Sequence, residues 1–503
     1  MKKVFFVLCL GAFSATAQHM DHSMPMAADT TKPMKGMDHS KMDHSKMDHG
    51  KMDHSKMDHS KMDRGKMDHS KMNHGMTMHQ GGMHAYEGDT ASTMMMPMGA
   101  MSHTLSRNLP MNRNGSGTSW MPDQTPMYAY MKHSEGGWMY MLHYSVFLRH
   151  THQNFNNTTR RGYESRIDAP NWAMGMAQHT VGKRGLFTAK LMMSLDPLAV
   201  GNGGYPLLFQ TGESYRGQPL VDRQHPHDLF SELSVSYAHA INRDMDAYVY
   251  VGYPGEPALG APAFMHRISS FNISDAPLSH HWIDATHITF GVATAGFRYK
   301  WAKVEVSSFT GREPDEYRYN FDKPRFDSYS YRLSINPSPG LALQVSQGLI
   351  KNPEGIGANH NDVRRTTASL LHSKSLGGGD HYVTSSLIWG MNSHDGVNEN
   401  AYLAETSLQL GKLALYGRYE NVTKSLAELV LPSTGDAEKT LANVDNLTLG
   451  GNWRLLRRAN TDLAVGAQLT ASVPSSELKP YYGNVPLSGQ LYFRLTPALM
   501  VMR

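Results

Sequence analysis

The chain of 503 residues contains one cysteine, Cys9. It falls inside a predicted export signal. Lys2 and Lys3 form a basic start, Val4 to Phe13 an apolar stretch and Ala15-Thr16-Ala17 a small-residue cleavage site, so residues 1–17 read as a signal peptide. The exported chain would begin at Gln18 and carry no thiol. That excludes disulfide scaffolds, cysteine-ligated zinc and a blue copper centre with its thiolate ligand. After the signal there is no run of about 18 apolar residues, hence no transmembrane helix. The net charge is only +4, with no basic patch interleaved with aromatics, so nucleic acid is not an expected partner. A Gly-x-Ser-x-Gly elbow and long amphipathic helical patterns are missing as well.

Methionine and histidine are abundant instead. A five-residue unit, Met-Asp-His-Ser/Gly-Lys, repeats eight times from Met37 to Met76. Its metal donors are Met37, His39, Met42, His44, Met47, His49, Met52, His54, Met57, His59, Met67, His69, Met72 and His74; Arg64 replaces histidine in the sixth unit. Residues 18–103 hold twelve of the 28 histidines and twenty of the 36 methionines. Imidazole suits Cu(II), Zn(II) and Ni(II), whereas thioether sulfur is soft and selects Cu(I) or Ag(I). The expected ligand is therefore copper in both oxidation states, with silver or zinc as further candidates. A period of five matches neither a helix nor a strand, and little but methionine could be buried, so 18–103 is expected to be a disordered metal-binding segment. The plain alternative is a solvated spacer, but a spacer has no need of thioethers.

Residues 104–136, rich in Gly, Ser and Asn near Arg113 to Ser119, read as a linker, and 137–503 as one domain. That domain shows alternating segments of about ten residues closed by turn signals such as Asn242-Arg243-Asp244 and Asn336-Pro337-Ser338-Pro339-Gly340. In the clearest, Tyr140, Leu142, Tyr144, Val146 and Leu148 share one face, and Met141, His143, Ser145 and Arg149 the other. Similar alternation marks Leu233/Val235/Tyr237, Ile288/Phe290/Val292, Val304/Val306, Tyr329/Tyr331/Leu333/Ile335, Leu413/Leu415 and Leu491/Phe493/Leu495. With the export signal, this describes an all-β protein: an antiparallel transmembrane β-barrel of a bacterial outer membrane, with about 12 to 16 strands. Trp138, Trp301, Trp389 and Trp453 would sit in the aromatic girdles. A soluble β-sandwich or propeller is the alternative.

The signal, the pentads and the barrel-like remainder together resemble the copper-resistance protein B family of outer-membrane proteins, the specific match lying in residues 19–103. The resemblance implies an outer-membrane barrel with a periplasmic copper-binding arm that contributes to copper tolerance, and gives ligand roles to the pentad methionines and histidines. Its expected partners are copper ions, outer-membrane lipid and a periplasmic copper chaperone or oxidase.

The domain offers further donors. Asp222-Arg223-Gln224-His225-Pro226-His227-Asp228 places His225, His227 and Asp228 close enough in sequence to share a metal, or else to brace a long loop. His266, His280 and His281 lie in a second long connection, 254–284. Met141 and His143, with Met139 beside them, would line the lumen, and Met174, Met176 and His179 repeat the theme; packing is the alternative for these methionines. Two functional classes follow. The favoured one is a copper-binding, non-enzymatic barrel that captures periplasmic copper on its repeats and sequesters it or passes it to the barrel. The other is an outer-membrane metal-dependent hydrolase built around His225, His227 and Asp228.

Overall fold

A computed structural model describes residues 105–354 and 362–500. The signal and the pentads, with every ligand expected between Met37 and His74, lie outside the described residues.

Sixteen antiparallel strands close into a barrel, the upper end of the expected range. Closure occurs where the last strand, Leu487–Pro497, pairs with Trp138–Gln153 from Val146↔Leu495 to His152↔Gly489. Two short strands complete this seam. Tyr130–His133 takes the part of the edge that Leu487–Pro497 leaves free. On the other edge, Glu164–Asp168 and Asn171–Val181 pair in series, interrupted at Ala169-Pro170, where proline has no N–H to offer a ladder. No helix among the described residues is long and apolar enough to cross a membrane.

Burial explains why these segments become strands. Along Trp138–Gln153, Tyr140, Leu142 and Leu148 point outward and are about half exposed, while Met141, Ser145, Phe147, Arg149 and Thr151 point inward and are buried. The same inversion, apolar outside and polar inside, holds for Val304 and Val306, Tyr329 and Tyr331, and Leu491 and Phe493. A hydrocarbon exterior enforces that pattern, and closure satisfies every strand edge within it. One expected segment differs. Ile288 and Phe290 are buried in a loop, and the strand begins only at Val292, so their alternation reflects packing inside the barrel.

One end of the barrel has tight turns; connections 300–301, 339–340, 411–412 and 459–460 are two residues long. The other end carries long segments, 194–229, 253–291, 310–327 and 426–440. Trp138, Trp301 and Trp453 lie toward the tight-turn end, in keeping with a girdle there.

The interior is filled by the chain itself. Residues 254–290 fold inward and are buried almost throughout. Arg267 and Ser269 bind Glu405 on the wall, Ser279 binds Glu420, and Asn272 binds Ser407. The stretch expected as a linker is also largely internal from 105 to 129, and its Tyr130–His133 part belongs to the barrel wall. Lys190 donates to the Gly117 carbonyl, Arg332 to Thr118, and Asn336 to the Met121 carbonyl. Over the long-loop end, Phe209, Leu278, Trp282, Leu429 and Tyr482 form an apolar cap.

Candidate metal centre

Five histidines converge beneath this cap. The His225 ring lies 6.0 Å from His280 and 5.5 Å from His281, centroid to centroid, and His280 and His281 are 5.1 Å apart. His287 is 5.2 Å from His280, and His227 is 5.6 Å from His287. One ring nitrogen from each of His225, His280 and His281 lies within 4.8 Å of the other two.

Each ring is held by its Nδ1. His280 donates to Asp284 Oδ1 at 2.6 Å, His225 faces Glu213 Oε1 at 3.1 Å, and His281 faces Glu313 Oε1 at 3.4 Å. His287 donates to the Asp284 carbonyl at 2.9 Å and His227 to Asp196 Oδ2 at 2.8 Å. Where Nδ1 is committed as the donor, as in His280, His287 and His227, Nε2 of the neutral ring carries the lone pair. The Nε2 atoms of His280, His281 and His287 are buried with no protein hydrogen-bond partner. An unmatched buried acceptor costs about 1–3 kcal/mol, so three in one cluster call for a reason.

The electrostatics favour the ligand-competent, neutral form at His225, His280 and His287. Burial pushes the pKa of His225 well below the usual imidazole range, with His281 and Arg318 adding to it. Burial likewise lowers His280, against the pull of Asp284, and lowers His287 strongly. At His281 burial also acts downward, but the Glu313 carboxylate outweighs it and raises the value.

Backbone form sets the positions. Gly212 adopts φ +106°, and a Cβ there would stand 2.3 Å from the His281 ring. The loop comes equally close to the wall at Gly390, where a Cβ would lie 2.3 Å from the Trp282 carbonyl oxygen. Glycine is required at both places for lack of room.

The expected trio of His225, His227 and Asp228 is divided. His225 joins His280 and His281; His227 turns to Asp196 and His287; Asp228 lies 3.5 Å from Arg318. Two histidines two apart on an extended segment would point the same way, but the inward loop offers each its own partners. His280 and His281 bear the larger part of the cluster. Their signal in the sequence was the adjacent pair itself, followed four residues later by the carboxylate of Asp284.

A second group of donors lies toward the tight-turn end. Met141 pairs across strands with Met176, and His143 with Met174, all facing inward. They line a cavity of about 80 Å³ together with Met111, Met121, Met127, Met265 and His266. His143 Nε2 is buried there without a protein partner. His179, in contrast, stacks on Trp138 on the outer face, 4.8 Å between ring centroids. A smaller cavity of about 40 Å³ shares Trp172, Met265 and Phe271 with the first and extends to His227 and Phe264.

No protein-family model matches the chain, and no curated protein sequence does. Solved structures to which the barrel is similar include a loop L8 deletion mutant of OmpT, an outer membrane protein of Vibrio cholerae, at 9% identity and a TM-score of 0.42, covering 72% of this chain and 99% of that one. Others are Salmonella typhi OmpF in complex with daunomycin (8% identity, TM-score 0.44, 73% and 100% covered) and an anion-selective porin from Comamonas acidovorans (9%, 0.41, 71% and 99%).

Proposed function

We propose that this outer-membrane barrel handles copper: its Met/His pentads capture the ion on the periplasmic side, and the methionine cavity in the lumen receives or stores it as Cu(I). The observation that carries this reading is where the cavity's thioethers come from. Met111, Met121 and Met127 belong to the segment that follows the pentads in the chain, and Met141, Met174 and Met176 to the barrel wall. Ordinary packing would be served by leucine, whereas clustered thioethers beside His143 and His266 form a soft donor set suited to Cu(I) and Ag(I).

The start of the same segment supports supply from the periplasmic side. It begins beside a tight turn, Ser106 bonding Asp246 at 2.6 Å and Asn108 bonding the Asn242 carbonyl at 3.2 Å. Tight turns of outer-membrane barrels face the periplasm. On this reading a periplasmic copper chaperone or oxidase is the expected partner of the pentads. Many equivalent ligands on one tether raise the effective ligand concentration, so capture does not need a rigid site.

The test is titration of the full-length, folded protein with Cu(I) under reducing conditions, and separately with Ag(I), against the variant Met111→Leu/Met121→Leu/Met141→Leu. Loss of the tightest bound equivalents supports the reading; unchanged stoichiometry and affinity would make the cavity a packing feature. Cells lacking the protein should be more sensitive to copper.

A further inference from the structure

We propose that the barrel contains a second metal centre of different chemistry, in which His225, His280 and His281 bind one divalent first-row transition ion, Zn(II) or Cu(II), beneath the long-loop cap. This goes beyond copper capture by the pentads and does not depend on it.

Convergence is the first support. Three buried imidazoles from two distant loops bring a nitrogen each to within 4.8 Å of one another. An ion bound at about 2.0–2.1 Å from each would need them to draw in by roughly 1 Å, within the range of small side-chain rotations.

The surroundings of the rings are the second. Metal-binding histidine typically gives its other N–H to a carboxylate, which fixes the tautomer and raises ligand basicity. Here His280 gives its Nδ1–H to Asp284 at 2.6 Å, and the Nδ1 atoms of His225 and His281 face Glu213 and Glu313 at 3.1 and 3.4 Å. A purely structural cluster would use both nitrogens of each ring, yet Nε2 of His280 and of His281 has no protein partner. His287 presents a further unpartnered Nε2 beside His280.

Rigidity is the third. Asp284 is held by Arg267 at 2.6 Å, and Arg267 by Glu405 of the barrel wall at 2.8 Å. Gly212 leaves the space that the His281 ring occupies. Three imidazoles without a thioether favour a borderline divalent ion over Cu(I), which separates this centre from the methionine cavity. Arg318 beside Glu213 and Arg267 beside Asp284 balance part of the negative charge behind the rings. The Glu313 carboxylate remains to offset the charge of the dication.

The test uses Co(II) as a spectroscopic probe on the full-length protein folded in detergent. Co(II) on the pentads would be water-rich, weakly coloured and removed by a mild chelator, whereas a four-coordinate three-imidazole site gives intense visible bands. The expected result is one retained equivalent with such bands, displaced by Zn(II), abolished in His281→Ala, and unchanged in Met141→Leu. Glu313→Gln should weaken binding on the order of 10–100-fold while leaving all three ligands in place. Gly212→Ala should also weaken it. No retained equivalent in the unaltered protein overturns the proposal, as does undiminished intensity in His281→Ala. Folding is checked by heat-modifiable gel migration. If His281→Ala fails that check, Glu313→Gln decides, and an unchanged affinity there overturns the proposal.

Discussion

Arg267 ties the inward loop to the barrel wall, its Nε 2.8 Å from Glu405 Oε1 and its Nη1 2.6 Å from Asp284 Oδ2. Glu405 also receives Arg418 at 3.0 Å, so one carboxylate on the wall bridges two buried guanidinium groups, with Asp284 as the second carboxylate of the set. Removing one member of a buried ionic set leaves charges uncompensated and costs about 3–5 kcal/mol. Glu405→Ala is therefore expected to lower unfolding stability in detergent by that order and to make residues 254–290 sensitive to protease. A variant as stable and as resistant as the parent protein would show that the loop is held by its apolar contacts alone.

Gly390 tests the same docking by shape. A side chain at this position would strike the Trp282 carbonyl, and overpacking of this kind costs about 1–3 kcal/mol. Gly390→Ala should lower the melting temperature and loosen the loop, read by hydrogen exchange at 278–284, while the barrel still forms.

The outward face offers a test of the membrane boundary. Leu449 lies mid-strand on the outer surface, 58% exposed, and its neighbour Thr448 is buried inside. Arginine on the lipid face near the bilayer midplane costs about 2–4 kcal/mol. Leu449→Arg should lose that much in urea unfolding from lipid vesicles and Thr448→Ser very little; equal effects would contradict the assignment of faces.

The pentads should respond to acid differently for the two oxidation states of copper. Protonation removes the imidazole lone pair as pH falls through roughly 6.5, whereas thioether sulfur does not titrate. Retained Cu(II) is expected to drop between about pH 7 and 5.5, and retained Cu(I) to persist. Parallel loss of both would mean that histidine carries Cu(I) as well.

The barrel was legible because lipid enforces alternation one residue at a time. Tyr140 and Leu142 declare an outer face, and Arg149 an inner one, without knowledge of any neighbour. Inside the lumen that constraint vanishes. Ile288 and Phe290 alternate like a strand yet belong to a loop, and residues 105–129 have a linker's composition yet are mostly buried, because the interior accepts glycine, serine and asparagine when the wall supplies partners. The histidine cluster was half visible for the same reason. His225 and His227 stood out as neighbours in sequence, but their true companions, His280, His281 and His287, arrive on a loop whose path is set by Arg267, Ser279 and the room at Gly212 and Gly390. No local pattern encodes that path.

The internal course of residues 105–129 also constrains how the molecule can be assembled. The first and last strands meet around this segment, and its end is tied to the seam by the Met500 amide, which donates to the Met127 carbonyl at 2.8 Å. A finished barrel would have to admit a folded length of chain with Arg113, Trp120 and several methionines through a lumen already filled by another loop. An order in which the segment is in position before the last strand zips to the first avoids that passage, and closing the seam then locks residues 105–129 within the lumen.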